Sequence, residues 1–349
     1  MRWSRPAYAV ALLLGGALLA AALLLSLASG AVDLGAADVA SALERWFSGA
    51  FEPGTQQAIQ AQIIGELRLP RALLGALIGG TLAVAGAALQ AMMKSPLADP
   101  FILGVSSGAS VGAALAVVLG LAATLGAGTA TVLAFLAALG SVVIVYAIAR
   151  VGGQVPAVRL LLAGVAWSSF ASALTGLLLY LAPEASQVRG VVFWLLGGLG
   201  GAEWSSVAWT GAVAIPGAML LFLTAPWLNL LLLGDEAARS LGLEVGRARA
   251  LIALVTALVT GAAVAFSGAI GFVGLVVPHM LRPFTGPEHR RLLPACWLFG
   301  AAILVAMDTL ARTLLAPREI PVGILTGLVG APFFLALLRK THREGDLAG

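Results

Sequence analysis

Apolar runs long enough to cross a bilayer recur from end to end of the sequence, and no other feature restricts the fold so strongly. A membrane-spanning helix needs about 20 predominantly apolar residues. Runs of that length, set off by charged or Pro/Gly breaks, fall near 7–28, 71–93, 102–122, 129–149, 159–182, 206–225, 292–314 and 321–338. Charged residues make up only 10% of the chain, against roughly 25% in a soluble domain, too few to cover a water-facing surface. The expected fold class is therefore an all-α polytopic membrane protein, with residues 1–349 forming a single transmembrane domain.

The stretch 250–281 needs a separate argument, because 32 nearly unbroken apolar residues are long for one span and short for two. Charge decides between them. Arg247 and Arg249 precede the stretch, and Arg282, Arg290 and Arg291 follow it. The positive-inside rule puts both flanks in the cytoplasm, so the chain goes out and returns, with a turn expected near Ser267-Gly268 and close packing at Gly271 and Gly274. That makes ten spans with both termini cytoplasmic. On this assignment six of the 20 basic residues lie outside (Arg45, Arg68, Arg71, Arg189, Arg312 and Arg318) and the rest inside. The N-terminus has the outline of a signal peptide, with Arg2 and Arg5 before the apolar stretch Ala7–Leu27. That stretch exceeds a signal core of about 7–15 residues, and it is read as a retained first helix.

The net charge of +4 sits in short loops between spans, where topology accounts for it, and no nucleic-acid partner is expected. Cys296 is the only cysteine; lying in an apolar run, it is assigned to packing. Two long connections stand out. Residues 31–67 form an outside segment in which Val39, Leu43, Trp46 and Phe47 suit a short interfacial amphipathic helix. Residues 228–249 form a cytoplasmic segment. Arg71-Ala72-Leu73-Leu74 and Arg249-Ala250-Leu251-Ile252 open two spans of opposite direction, a faint echo of the inverted repeats common in transporters.

Several chemistries are excluded. The only lysines, Lys94 and Lys340, do not complete a GxxxxGK[ST] phosphate loop, and no HExxH or GxSxG is present. The chain therefore does not hydrolyse ATP itself, and no metal or cofactor site is expected on it. Ion-coupled transporters hold carboxylates within their spans. Here the one candidate is Asp308, near the outer end of its span, with Arg312 one turn away for a local ion pair. A secondary transporter and a membrane-embedded enzyme are both disfavoured on these grounds.

Three segments are unlike generic membrane sequence. The first runs from Arg68-Leu69-Pro70-Arg71 through Gly86-Ala87-Ala88-Leu89-Gln90 to Ser95-Pro96-Leu97-Ala98-Asp99-Pro100 and Leu103-Gly104-Val105-Ser106-Ser107-Gly108-Ala109. The second is Leu233-Gly234-Asp235-Glu236-Ala237-Ala238-Arg239-Ser240-Leu241-Gly242-Leu243. It is too short and polar to span; Asp235 and Glu236 suit a helix N-terminus and Gly242 its stop, so it reads equally as a cytoplasmic helix or a solvated loop. The third runs from Gly268-Ala269-Ile270-Gly271-Phe272-Val273-Gly274 to Pro278-His279, then to Glu319-Ile320-Pro321-Val322-Gly323 and Gly330-Ala331-Pro332-Phe333-Phe334. Span 159–182 also carries Ser168, Ser172 and Thr175 on one helical face. These hydroxyls either line a path or bond their own backbone or a neighbouring helix.

The ordered set, over nearly the whole chain, resembles the FecCD-type permeases of type II ABC importers for ferric siderophores, haem or cobalamin. The resemblance implies a ten-helix permease of the bacterial inner membrane, working as a dimer, most simply a homodimer. Its implied partners are two cytoplasmic ATPase subunits that carry the ATP and Mg, a periplasmic binding protein, and a metal-chelate substrate. Residues 234–242 become the ATPase-coupling helix, Arg68, Arg71 and Arg312 the docking set for the binding protein, and Ser168, Ser172 and Thr175 part of the translocation path. Ser95, Pro96 and Ala157 fall where the family closes its cytoplasmic gate, although relatives carry hydroxyls where this chain has Pro156, Ala157 and Val158. His279 belongs to a motif shared across substrates and is read as structural.

Overall fold

The computed structural model describes residues 5–30, 34–49, 54–126, 128–151 and 155–346. Arg2, used above for orientation, and Asp33 and Glu52 of the outer segment lie outside the described residues. Within them the regular elements are helices. Helix α1 (Arg5–Ala28) crosses first, and α2 (Ala36–Ser48) follows as the amphipathic element expected in the outer segment. It does not lie free on an interface: Val39 is buried, Trp46 stacks on Trp204 with ring centroids 5.4 Å apart, and of the four apolar residues expected on its interfacial face only Phe47 is exposed.

The next three pieces form one continuous rod: α3 (Gln56–Gln62), a π-helical turn (Ile63–Arg68) and α4 (Leu69–Met93). Small residues dominate α4, so neighbouring helices approach it closely. It packs against helices on several sides, and most of its residues are buried. Beyond it come a 3₁₀ turn (Pro100–Leu103), α5 (Val105–Val118), the short α6 (Leu121–Leu125), α7 (Thr129–Ala149) and α8 (Ala157–Tyr180). Helix α8 leans on α5 and α7 and is mostly uncovered.

Helix α9 (Ala185–Leu195), not anticipated from the sequence, caps α5 at the outer side before α10 (Trp204–Leu223) crosses. The inner segment is shorter than expected. Helix α11 (Ala225–Leu232) begins with Pro226 at its second position and still buries Leu228 and Leu231, so charged sequence starts only at Asp235, the first residue of α12 (Asp235–Ser240). Helices α13 (Val245–Ser267) and α14 (Val273–Thr285) follow, with the break between them at Gly268 (φ +66°), at the Ser267-Gly268 turn expected there. The break is not a surface loop, however. Ser267 is buried, and its carbonyl accepts the Gly198 amide at 2.8 Å. Helix α15 (His289–Thr313) packs along α4 and α1, and α16 (Val322–Asp346) closes the chain.

Seven helices among the described residues are long and apolar enough to span, and α5 and the apolar part of α16 are shorter. With α14 these fill the ten expected positions. Cys296 is fully buried in the core.

Candidate functional site

At the end expected to face the cytoplasm, called inner here, α12 is a compact protrusion whose stop is written in its backbone. Leu243 donates its amide to the Ala238 carbonyl, and Gly242 to that of Arg239, at 3.0 and 2.9 Å. This is the Schellman pattern, with Gly242 in the left-handed region its C′ position requires. Ala238 is fully buried and seats the helix, while Glu236, Ala237, Arg239 and Ser240 face outward beside the exposed Leu233 and Leu241. Apolar side chains rimmed by polar ones mark a protein-contact surface. Asp235 does not cap its own helix. It takes a hydrogen bond from Lys94 Nζ at 2.8 Å and pairs with Arg249 at 3.0 Å. Burial alone would raise its carboxyl, but the Lys94 hydrogen bond and the Arg249 and Arg239 charges hold it below the ordinary carboxylate range.

The expected gate residues lie beside this anchor. Ser95 Oγ accepts the Leu97 amide at 3.3 Å in the turn after α4, and Pro96 is exposed. Ala157 opens α8 and shares a small inner recess with Met92, Met93, Tyr146, Val155, Leu160 and Arg249. The inner ends of α4, α8 and α13 therefore meet at one place.

The connection after Ser95 does not stay at the inner surface. A side chain at Gly274 would press on the Pro100 ring and the Leu82 carbonyl, and one at Gly164 would collide with the Ile102 carbonyl. Leu82 lies eleven residues above the inner end of α4, about 16 Å at 1.5 Å per residue. Residues 95–104 thus turn back into the bundle to roughly mid-depth. Asp99 caps the 3₁₀ turn there, accepting the Phe101 amide at 2.8 Å.

A broad groove opens on this wedge. Its walls are α8, with Ser168, Ser169 and Ser172 among apolar neighbours, and the broken segment before α14, with Gly271 and Phe272; Asp99 joins them. Ser168 accepts a hydrogen bond from Ser107 at 3.2 Å, and Ser172 is exposed. Thr175 differs: it is buried and donates to the Ala171 carbonyl in its own helix at 2.9 Å. Two of the three expected path hydroxyls line the groove, and the third does not. Phe272 adopts φ +69°, a strained conformation for a bulky residue of the kind that clusters at functional sites. Asp99 was missed from sequence because its Pro-flanked loop reads as an ordinary inner connection.

At the opposite end, expected to be the outer one, Arg68, Arg71 and Arg312 are brought together, but turned inward. Arg71 makes a two-pronged contact to Asp308, with Nε and Nη2 each 2.9 Å from carboxylate oxygens, and reaches Glu319 at 3.0 Å. Arg312 donates to the Ser26 carbonyl and to Ser26 Oγ, and sits 3.8 Å from Asp308. Arg68 donates to the Leu27 and Ala28 carbonyls at 2.6 and 3.0 Å. Those carbonyls lie at the end of α1, where helical carbonyls lack partners. Three outward-facing donors are therefore not what the structure places here. Arg68 and Arg312 are buried, and the local Asp308–Arg312 pair is secondary to Arg71. Arg71 meets an exposed partner, since the Glu319 side chain is 46% exposed. No three His, Cys, Asp or Glu side chains converge as a metal-holding group among the described residues.

The FecCD transport family profile matches residues 18–340. A cobalamin import system permease from Halobacterium salinarum is 46% identical, over 79% of this chain and 73% of its own length. A hemin transport system permease from Yersinia pestis is 41% identical, over 92% of this chain and 94% of its own. Among solved structures, an inward-facing metal-chelate type ABC transporter superposes with a TM-score of 0.81 at 30% identity, covering 94% of this chain and 98% of that one.

Proposed function

The chain belongs to the FecCD transport family, a family of ABC importer permeases, and from that membership we propose that it carries an iron chelate (haem or a ferric siderophore) across the bacterial inner membrane. The observation that carries the substrate class is the groove: a broad, mostly apolar wall with serine hydroxyls and one carboxylate suits a large, partly polar chelate better than a bare ion. Cobalamin is the second reading, favoured by the 46% identity to a cobalamin permease.

In this reading the groove faces the axis of a homodimer, which would cover the exposed side of α8. Both termini are cytoplasmic. Two separate ATPase subunits grip α12, and the inner junction of Ser95, Pro96 and Ala157 is the cytoplasmic gate. A periplasmic binding protein docks at the outer arginine cluster. There Arg71 is the member able to receive a carboxylate, by exchanging Glu319 for an incoming acid, while Arg68 and Arg312 hold α1 in place.

The test is uptake by proteoliposomes holding the permease, its ATPase and its binding protein. Transport of haem or a ferric siderophore should require ATP hydrolysis and tolerate an uncoupler. Uptake that persists without the ATPase and collapses with the uncoupler would overturn the reading, and exclusive uptake of cobalamin would replace its substrate.

A further inference from the structure

We propose that Asp235 is a positioning residue that links the ATPase-facing helix α12 to both gate segments, through Lys94 on one side and Arg249 on the other. This rests on the reading of α12 as the ATPase contact and says how a movement of that helix reaches the gate. Lys94 is the last residue before Ser95-Pro96, and its ammonium lies 2.8 Å from the Asp235 carboxylate. Arg249 pairs with the same carboxylate at 3.0 Å and reaches the Val155 carbonyl at 3.5 Å, two residues before Ala157. One carboxylate on the protruding helix is thus tied to the segment following α4 and to the segment entering α8. The Lys94 hydrogen bond and the neighbouring Arg249 and Arg239 charges favour the ionised form of this carboxylate.

The backbone at Lys94 supplies an independent observation. Ser95 donates its amide to the Gln90 carbonyl and Lys94 to that of Ala91, at 3.1 and 3.2 Å. This is the same Schellman stop that ends α12. There the left-handed C′ position holds Gly242; here Lys94 holds it with φ +51°. Glycine takes that conformation without steric cost, and a side chain does not. A lysine at this position fits a site that needs its amine rather than the best turn. An exposed ion pair adds little to stability, so the worth of this one lies in where it connects.

The comparison of Lys94→Gly with wild type separates a turn from a link. The full transporter, with ATPase and binding protein, is reconstituted, and uptake and ATP hydrolysis are measured on the same vesicles. Lys94→Gly should leave the melting temperature of the complex unchanged or raised, because glycine suits the turn. Uptake per ATP hydrolysed should fall about tenfold, within the span by which single residues alter coupling. Asp235→Asn should give a similar fall, the double variant no larger one, and Lys94→Arg should restore the wild-type ratio. Ala238→Pro, which breaks α12 itself, serves as the control. If it uncouples transport while Lys94→Gly and Asp235→Asn keep the wild-type ratio, the link through Asp235 is wrong and the coupling helix stands. If Ala238→Pro has no effect, the underlying reading of α12 fails. Loss of uptake and hydrolysis in proportion would also overturn the proposal, since Asp235 would then belong to the grip itself.

Discussion

Asp308 shows what a single residue can hide from sequence. Its neighbour at i+4, Arg312, was legible as a partner, but the stronger contact comes from Arg71, 237 positions away. A two-pronged arginine–carboxylate contact needs a planar approach, and a residue on a facing helix supplies it better than one on the same helix. Both charges are nearly out of water: the Arg71 side chain is 13% exposed and that of Asp308 2%. Replacing Asp308 by Asn would remove the buried counter-charge that Arg71 and Arg312 share, a loss of about 3–5 kcal/mol for a broken buried pair. Glu319→Gln removes a half-exposed partner of the same arginine and should cost about 1 kcal/mol or less. Thermal melting of the purified protein in detergent measures both. Equal shifts for the two variants would mean that burial at Asp308 carries no weight. Lys94 and Asp99 were equally invisible, the one counted only as an inside charge and the other read as loop, because their significance lies in where distant helices place them.

At the scale of elements, periodicity and charge were enough where breaks were clean. The span expected at 129–149 is α7, residue for residue, and the stretch 250–281 is broken at Gly268, at the Ser267-Gly268 turn expected there. The span expected at 102–122 came out as a 3₁₀ turn, a 14-residue helix and a short tail. Hydropathy cannot separate a re-entrant apolar turn from the start of a helix. The punctuation was present in Asp99, Pro100 and Gly104, but nothing local says that it lies at mid-depth. Helix α8 gives the sharpest test, because its faces differ. Ser172 lines the groove, Thr175 is buried against its own helix, and Phe170 is exposed two residues from Ser172, about 200° around the helix from it at 100° per residue. With Cys296 replaced, cysteine at Ser172 should react with a charged, water-borne thiol reagent. Cysteines at Thr175 and Phe170 should not, the first for want of access and the second because a thiol facing lipid does not ionise. Labelling at Phe170 but not Ser172 would put water on the opposite face and move the path off this groove.

Over the whole molecule, the two most buried helices are fastened by mirrored devices. Helix α4 enters from one side behind Arg71, and α13 from the other behind Arg249, the two arginines that open the faint sequence echo. Each arginine shares a single carboxylate with a second cation: Asp308 lies between Arg71 and Arg312, and Asp235 between Arg249 and Lys94. One clasp closes each end of the bundle, and the difference between them is exposure. The Arg312 and Asp308 side chains are buried to within 7% and 2%, whereas those of Lys94 and Asp235 are 36% and 28% exposed. A buried clasp holds a fixed end and an open one can be rearranged, which suits an end where an ATPase acts. This arrangement works only if the Asp235 end is cytoplasmic, and fourteen of the 20 basic residues argue that it is. Orientation can be read directly. In the Cys296-free chain, cysteine at the exposed Glu184, before α9, should be labelled by an impermeant reagent applied to intact spheroplasts. Cysteine at the exposed Glu236 should be labelled only after the membrane is opened. The reverse pattern would turn the protein over, put α12 out of reach of any cytoplasmic ATPase, and overturn the coupling scheme together with the orientation.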